Sequence, residues 1–280
     1  MNTARPRMAW RHVLALCVAL AAACTEVRAG DDCERVDVTP QKVADAAATA
    51  QRVAAELDRV DAPVAVVSRI GTDLSRHGLV YSHAGFAVRD HPKGRWTVVH
   101  LLRDCSSDGS GLYTQGLGNF FADDLVNQDA RITWLEAGMA ERLAQRLATL
   151  GDDPLYTPRY NLIARPGSTR TQNSTAWIVE HLGAALSPRR VVTHRHDAYT
   201  IATAYGFTPD TIHIPYSKRI AGGLFGSHIS FTDHSVGTRL SGDYPVVTER
   251  AILRWLGESG LAVAETEWRN GVRQSRPGPA

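Results

Sequence analysis

The sequence predicts an α+β protein in which helices and an antiparallel sheet are partly segregated. Two apolar runs, 79–88 and 95–102, are joined by the short turn "RDHPKG", a pattern typical of an antiparallel hairpin. Strand-like and helix-like segments do not alternate regularly, which disfavours a doubly wound parallel sheet. There is no internal repeat, low-complexity linker or composition break after residue 30. We therefore expect one α+β domain over residues 30–265.

The first 29 residues have the three-part pattern of a secretory signal peptide. Three arginines by residue 11 are followed by an apolar run over 13–24 and then by Val27-Arg28-Ala29. This predicts cleavage after Ala29 and export to the periplasm or the exterior. In a rival interpretation, "LAAAC" is a lipoprotein processing site and Cys24 carries the lipid. No later segment is apolar enough to cross a bilayer.

Removing residues 1–29 changes both the charge and the cysteine count. The whole chain has a formal charge of +2, and the removed segment carries four arginines and one glutamate, so about −1 remains. This leaves no basic field that would indicate a nucleic-acid partner. Cys33 and Cys105 are the two cysteines left, and an oxidising compartment favours a disulfide between them over two free thiols.

The remaining elements follow from apolar periodicity and capping residues. Thr39 as N-cap and Pro40 at the first position open a helix over 39–60, and a buried strand follows over 62–70. Further along the chain we expect a strand at 130–137, helices at 139–150, 173–187, 194–207 and 245–260, and short strands at "DTIHIP" and "HISF". We expect the polar tail, 266–280, to be disordered.

Two histidines in the hairpin are the leading catalytic candidates. Side chains alternate along a strand, so Tyr81, His83 and Gly85 share one face of the first strand. His100 lies on the partner strand, and the sequence leaves the pairing register open. Ser174 opens the helix after "QNS", where unpaired backbone N–H groups stabilise negative charge. A serine at this position is equally what helix capping selects.

The segments "YSHAGF", "WTVVHLL" and "QNSTAWIVEHL" resemble the permuted papain-like hydrolases related to the NlpC/P60 group. The resemblance implies a papain-like core in which His83 is the base, His100 orients it and Ser174 takes the place of the nucleophile. Those enzymes use cysteine, and a serine hydroxyl needs a better-tuned base. Nearly the whole mature chain also resembles a family of secreted bacterial proteins known as domain of unknown function 2145, which implies no established activity.

Polar residues near these positions are candidates for ligand binding. Arg165 and Arg170 flank the loop before the helix and suit a carboxylate or phosphate. The ligand-binding candidates beside the three catalytic positions are Tyr81, Arg170, Gln172 and Asn173.

A metal site is less well indicated by the sequence. His194, His196 and Asp197, and further on Asp233 and His234, have neither HExxH nor zinc-ribbon spacing. The sequence therefore predicts no metal and no cofactor.

Three hypotheses follow for the function. The first is a hydrolase or acyltransferase that acts on an amide or ester at the cell envelope, such as a peptidoglycan peptide. The second is a non-catalytic protein of the same fold that binds an envelope peptide or lipid. The third is a metal-dependent enzyme that uses the cluster at 194–197.

Overall fold

The computed structural model describes residues 39–104, 107–123, 125–148, 150–225 and 228–277. All of them belong to one compact unit. The predicted signal peptide and the predicted disulfide between Cys33 and Cys105 lie outside the described residues. No helix in the described part of the chain is long and apolar enough to cross a membrane.

A seven-stranded antiparallel sheet forms the centre of the fold and confirms the α+β prediction. Its spatial order is β4-β3-β2-β1-β5-β8-β9. The strands are β1 (Val64–Arg69), β2 (His83–His91), β3 (Gly94–Arg103), β4 (Ser110–Gln115), β5 (Ala130–Leu135), β8 (Ala262–Arg269) and β9 (Val272–Pro277). A separate two-stranded sheet pairs β6 (Asp210–His213) with β7 (Asp243–Val246).

Helices cover both faces of the large sheet. They are α1 (Pro40–Leu57), α2 (Leu117–Phe121), α3 (Ala137–Leu147), α4 (Ser174–Ala185), α5 (Arg195–Ala204), α6 (Tyr216–Phe225), α7 (Val236–Ser241) and α8 (Glu249–Glu258). As expected, Thr39 caps α1 by accepting a hydrogen bond from the Lys42 amide at 3.2 Å.

Alternation along the strands divides the core into two layers. Val66 of β1 and Phe86 of β2 lie on one face, under α3, α4 and α8. Val67 and Ala87, their chain neighbours, lie on the opposite face, under α1 and α2. We call these the α4 face and the α1 face. Every strand residue near the candidate site belongs to one or the other.

The helix α4 is buried along its whole length. One side packs on the sheet, where the rings of Trp177 and Phe86 are 5.5 Å apart. The other side meets α5, and a Cβ on Gly183 would lie 2.1 Å from the Ala198 carbonyl oxygen. Glycine is therefore required where the two helices cross.

Two expectations from the sequence are wrong. Residues 266–277 are not disordered, because they complete β8 and form β9, which pair as a hairpin. Trp268 packs into the α1 layer, and Arg273 of the otherwise exposed β9 donates a hydrogen bond to Glu56 at 2.5 Å. The segment "HISF" forms no strand; a 3₁₀ turn, Phe231–Asp233, begins within it.

Candidate functional site

The hairpin register places His83 and His100 side by side on the α1 face. Phe86 pairs with Val99, so His100 lies beside Gly85 and one diagonal step from His83. A Cβ on Gly85 would approach the His100 Cβ to 3.1 Å and a Val98 methyl to 2.5 Å. The room beside this glycine is therefore filled by β3, and not by a facing helix or a substrate.

The two histidines form a hydrogen-bonded chain with Gln115 of β4. His83 Nε2 lies 2.8 Å from His100 Nδ1, and His100 Nε2 lies 3.0 Å from Gln115 Oε1. The amide oxygen can only accept, so His100 donates from Nε2. The Nδ1 atom of a neutral His100 then accepts a hydrogen bond from the protonated Nε2 of His83. This arrangement fixes both tautomers.

Burial keeps both imidazoles uncharged. Burial lowers the pKa of His83 well below its usual value, and the charge of Arg69 and the His100 ring lower it further. Burial, followed by the charge of Arg69, lowers the pKa of His100 to about 4, although its hydrogen bond to Gln115 opposes the shift. Their lowered pKa values make both rings weak bases at neutral pH.

Arg69 and helix α2 cover the two histidine side chains. Arg69 of β1 pairs across the sheet with His83 and donates hydrogen bonds to the Phe120 carbonyl oxygen and, at 2.6 Å, to Asp123. Its guanidinium lies 4.5 Å from the centre of the Phe120 ring. That ring also contacts both histidines, at 5.9 Å from His83 and 5.2 Å from His100.

Ser174 is on the other side of the sheet from this pair. It is the first residue of α4, whose Trp177 packs against Phe86 on the α4 face. No hydrogen bond joins Ser174 to either histidine in the part of the chain that the structure describes. The structure thus brings His83 and His100 together and does not bring Ser174 to them.

Asn173, and not Ser174, caps this helix. Its side-chain oxygen accepts a hydrogen bond from the Ala176 amide at 2.8 Å, and its amide nitrogen donates to the Leu162 carbonyl oxygen at 3.0 Å. The capping role expected for Ser174 is therefore wrong. A catalytic role for Ser174 stays a prediction.

Two more of the predicted ligand-binding residues are engaged within the protein. Gln172 receives a hydrogen bond from the Thr157 amide and donates to the Leu155 carbonyl oxygen and to Glu180. Tyr81 donates to Glu267 at 2.6 Å. With Asn173, these side chains hold loops together. Arg170 is different, because it lines a cavity.

This cavity, of about 180 Å³, lies where three loops meet. They are the loop before β4, the loop that leads into α4, and the segment between α6 and α7. Its lining residues are Asp108, Arg159, Tyr160, Arg170, Thr171, His228, Ile229, Ser230, Thr232 and Asp233. We call it the arginine cavity, after Arg159 and Arg170.

Buried polar contacts make the walls of the arginine cavity rigid. Asp233 accepts hydrogen bonds from the Arg165 amide and from the hydroxyls of Ser168 and Thr171, at 2.9–3.0 Å. Burial alone would raise the pKa of Asp233, but these donors outweigh it and the pKa is lowered. On the opposite wall, Asn161 receives the Ser230 amide and donates to the Ser230 carbonyl oxygen, both at 2.9 Å.

The arginine cavity is lined by two arginines and two aspartates, Asp108 and Asp233, and the arginines have no side-chain partner among the described residues. Arg159 and Arg170 are exposed, and within the described ranges neither guanidinium has a hydrogen bond or an ion pair. Asp233 is occupied by its own donors. The cavity can therefore offer two guanidinium groups to a ligand.

Sequence reasoning identified Arg170 but missed Arg159 and His228. Arg159 lies in the same loop as Arg170, His228 comes from a distant segment, and no spacing pattern links either of them to Arg170. The bridge between Gly109 and Arg159 joins the first two loops, and the bridge between Tyr160 and Gln172 folds the second loop back on itself. A pattern of separated loop residues of this kind leaves no signal in a single sequence.

Two of the residues considered for metal binding have other partners. Asp197 pairs with Arg190 at 3.3 Å, and His234 lies 2.7 Å from the Ile163 carbonyl oxygen. Among the residues that the structure describes, no group of three His, Cys, Asp or Glu side chains is placed to hold a metal ion.

Comparison with known proteins gives a family and no characterised relative. No curated protein and no solved structure matches the chain. Residues 56–256 match the family DUF2145, described as "Uncharacterized protein conserved in bacteria". The match covers the hairpin, the arginine cavity and most of α8. Because it spans more than half of the sequence, the chain belongs to the DUF2145 family of bacterial proteins.

Proposed function

We propose that this protein is an exported binding protein that holds the anionic group of a cell-envelope ligand in the arginine cavity. The observation that carries the proposal is that Arg159 and Arg170 line one cavity and that their guanidinium groups have no partner among the residues the structure describes. A guanidinium binds a carboxylate or phosphate through two parallel hydrogen bonds, and two of them can share one anion.

Two hydroxyl groups in the lining also suit an anionic ligand. Ser230 and Thr232 hydrogen-bond to each other at 2.9 Å, which leaves one of their two hydroxyl protons for a ligand. The hydrogen bonds of Asp233 and Asn161 hold these walls before any ligand arrives. A binding site that is already ordered loses less conformational entropy when its ligand binds.

The volume limits what enters the cavity. About 180 Å³ is roughly the share of six liquid waters. Sites for drug-sized ligands are larger, at about 300–1,000 Å³. The cavity therefore accepts a charged end, such as a peptide carboxylate or a lipid phosphate, with the rest of the ligand outside. The signal-peptide pattern of residues 1–29 supports an envelope location.

Calorimetric titration tests this function. Inorganic phosphate, an acetylated dialanine with a free carboxylate, and its uncharged amide are titrated into the wild type and the Arg159→Gln and Arg170→Gln variants. We expect binding of one or both anions, no binding of the amide, and affinity about tenfold or more weaker in each variant. Arg189→Gln is the matched control, since Arg189 is exposed and lies outside the cavity.

The titration can contradict the proposal in two ways. Binding of the amide as tightly as the free carboxylate would show that charge is not recognised. Equal weakening in the Arg189→Gln control would show that binding is unrelated to the cavity.

A hydrolase with a papain-like core is the second candidate. The hydrogen-bonded chain from His83 through His100 to Gln115 favours it, because it holds the His83 ring in one tautomer and orientation, although burial makes this ring a weak base. In this function Ser174 attacks an amide or ester carbonyl and His83 takes the hydroxyl proton. Because α4 packs on the opposite face of the sheet from His83, the structure supports this hydrolase less well than it supports a binding protein.

A reactive serine probe separates the two candidates. A hydrolase would label the wild type and would lose labelling in both Ser174→Ala and His83→Ala. Absent labelling, or labelling that both variants retain, would exclude the hydrolase. Neither result changes the expected titration of the arginine cavity, so the two functions are tested independently.

A further inference from the structure

Two neighbouring short helices, α6 and α7, expose apolar side chains in the same part of the fold. Tyr216 and Ile220 of α6 are four residues apart and therefore lie on one side of that helix. Val236 and Leu240 of α7 have the same spacing. Leu240 is 77% exposed and Tyr216 is 69% exposed, which is unusual for side chains of this size.

The two helices are held against each other through Arg219. Its guanidinium donates a hydrogen bond to the Arg239 carbonyl oxygen at the end of α7 and lies 5.3 Å from the centre of the Tyr216 ring. Tyr216 and Ile220 share one side of α6, and Val236 and Leu240 share one side of α7. We call the exposed sides of these two linked helices the α6–α7 surface.

Basic side chains accompany this surface. Lys218 and Arg239 are exposed and have no ion pair in the described part of the chain. The 3₁₀ turn Ser75–His77 lies close enough to α6 for Lys218 to lower the pKa of His77, and it adds the exposed Arg76. Neither helix contains an aspartate or a glutamate.

Acidic groups near the α6–α7 surface are already engaged. Asp233, on the segment between the two helices, is buried and accepts three hydrogen bonds from the loop before α4. Asp243 after α7 pairs with His213 at 2.8 Å. Asp73 interacts with Arg76 and offsets its charge, whereas Lys218 and Arg239 have no ion pair in the described part of the chain. The surface therefore combines exposed apolar side chains with two basic side chains that are not compensated locally.

We propose that the α6–α7 surface docks on a bilayer that contains anionic lipids. Aromatic and aliphatic side chains enter the boundary between headgroups and acyl chains, while lysine and arginine side chains reach the lipid phosphates. Charge complementarity selects this occupant, since anionic headgroups attract Lys218 and Arg239. Docking is independent of the arginine cavity, whose ligand can be tested in solution.

Co-sedimentation of the full chain with vesicles tests the proposal. We expect binding to vesicles of phosphatidylcholine with 30 mol% phosphatidylglycerol, and much weaker binding to phosphatidylcholine alone. The Lys218→Gln/Arg239→Gln variant should bind the anionic vesicles about thirtyfold more weakly. Ile220→Ser/Leu240→Ser should weaken binding several-fold.

Matched controls distinguish docking from a general effect of charge or exposure. Val191 is 78% exposed, like Leu240, and lies outside this surface, so Val191→Ser should bind as the wild type does. Arg189→Gln controls for loss of positive charge. The apolar run at 13–24 is identical in every variant, so differences between variants report on the α6–α7 surface.

Three results would overturn the proposal. They are absent binding to the anionic vesicles, equal binding to neutral and anionic vesicles, and variants of the surface that bind no more weakly than the controls. Unchanged circular dichroism of each variant shows that a lost interaction is not a folding defect.

Discussion

His83 and His100 lie 2.8 Å apart between Nε2 and Nδ1, and neither side chain contacts water freely because Phe120 and Arg69 cover them. Two neutral imidazoles in contact form a stable pair as long as neither gains a proton. A proton gained by either ring would place a positive charge next to Arg69. The pair therefore links the stability of the sheet to pH.

Acidification should destabilise the protein through this pair. Both histidines have a folded pKa below the unfolded value of 6.5, so the stabilisation is present above pH 6.5 and is lost as pH falls through the folded pKa. For His100, with a pKa of about 4, the loss is about 3 kcal/mol by pH 4. Urea denaturation from pH 7.5 to 4 measures it.

The variant His100→Gln isolates this contribution. Glutamine keeps a hydrogen-bonding group but does not titrate, so the stability difference between wild type and variant should shrink as pH falls. His196→Gln is the control, because His196 is exposed and distant from the pair. A difference that stays constant from pH 7.5 to 4 would contradict the assignment.

Glu249 should act in the opposite direction. It is buried under β1, where Ser68 donates a hydrogen bond to one carboxyl oxygen at 2.5 Å, and the other oxygen has no partner in the described residues. Burial raises its pKa to about 7, although Ser68 and Arg131 oppose the shift. Its stabilisation is complete below pH 4.5 and is lost as pH rises through 7.

We therefore expect Glu249→Gln to be more stable than the wild type in alkaline solution. The rise of the Glu249 pKa from 4.5 to about 7 corresponds to about 3 kcal/mol of folding free energy that the wild type loses at high pH. The glutamine side chain does not ionise, so the variant does not lose it. Below pH 5 the variant should gain nothing. Denaturation midpoints at pH 5 and pH 9 test both statements, and an equal change at the two pH values would refute them.

Gly85 is a position where one methyl group should be costly. A Cβ there would meet Val98 at 2.5 Å and His100 at 3.1 Å, so Gly85→Ala should destabilise the hairpin by about 1–3 kcal/mol. Gly257→Ala in α8 is the control, since its Cβ would meet nothing within 4 Å. The control should be neutral or stabilise by about 0.5–1 kcal/mol. Equal effects in urea denaturation would show that the close approach is unimportant.

Strand alternation and capping residues were sufficient to predict the hairpin, α1 and the start of α4. Strand alternation assigned His83 and His100 each to one face of its own strand. It did not determine the register of β2 against β3, which is what brings the two side chains together. The helix α4 shows a deeper limit. All twelve of its residues are buried, so it has no polar side to indicate which face of the sheet it covers.

The arginine cavity lies beyond single-sequence reasoning for a different reason. Its walls are joined by Asp233 to Thr171 and by Ser230 to Asn161, contacts that span 62 and 69 residues. Loop residues of this kind are positioned by long-range hydrogen bonds and not by a local period. Arg170 could be found because it flanks a helix start, whereas Arg159 has no such marker.

A buried ion pair is attached to the loop that supplies Arg170. Arg195 of α5 binds both carboxyl oxygens of Glu180, at 2.8 and 2.9 Å, and donates to the Thr171 carbonyl oxygen. Arg195→Met leaves Glu180 buried without its cation, so it should cost about 3–5 kcal/mol and weaken anion binding at the cavity. Arg190→Met breaks the exposed pair with Asp197 and should cost less than about 1 kcal/mol. Urea denaturation with phosphate titration measures both variants, and similar losses would show that the buried pair does not organise this loop.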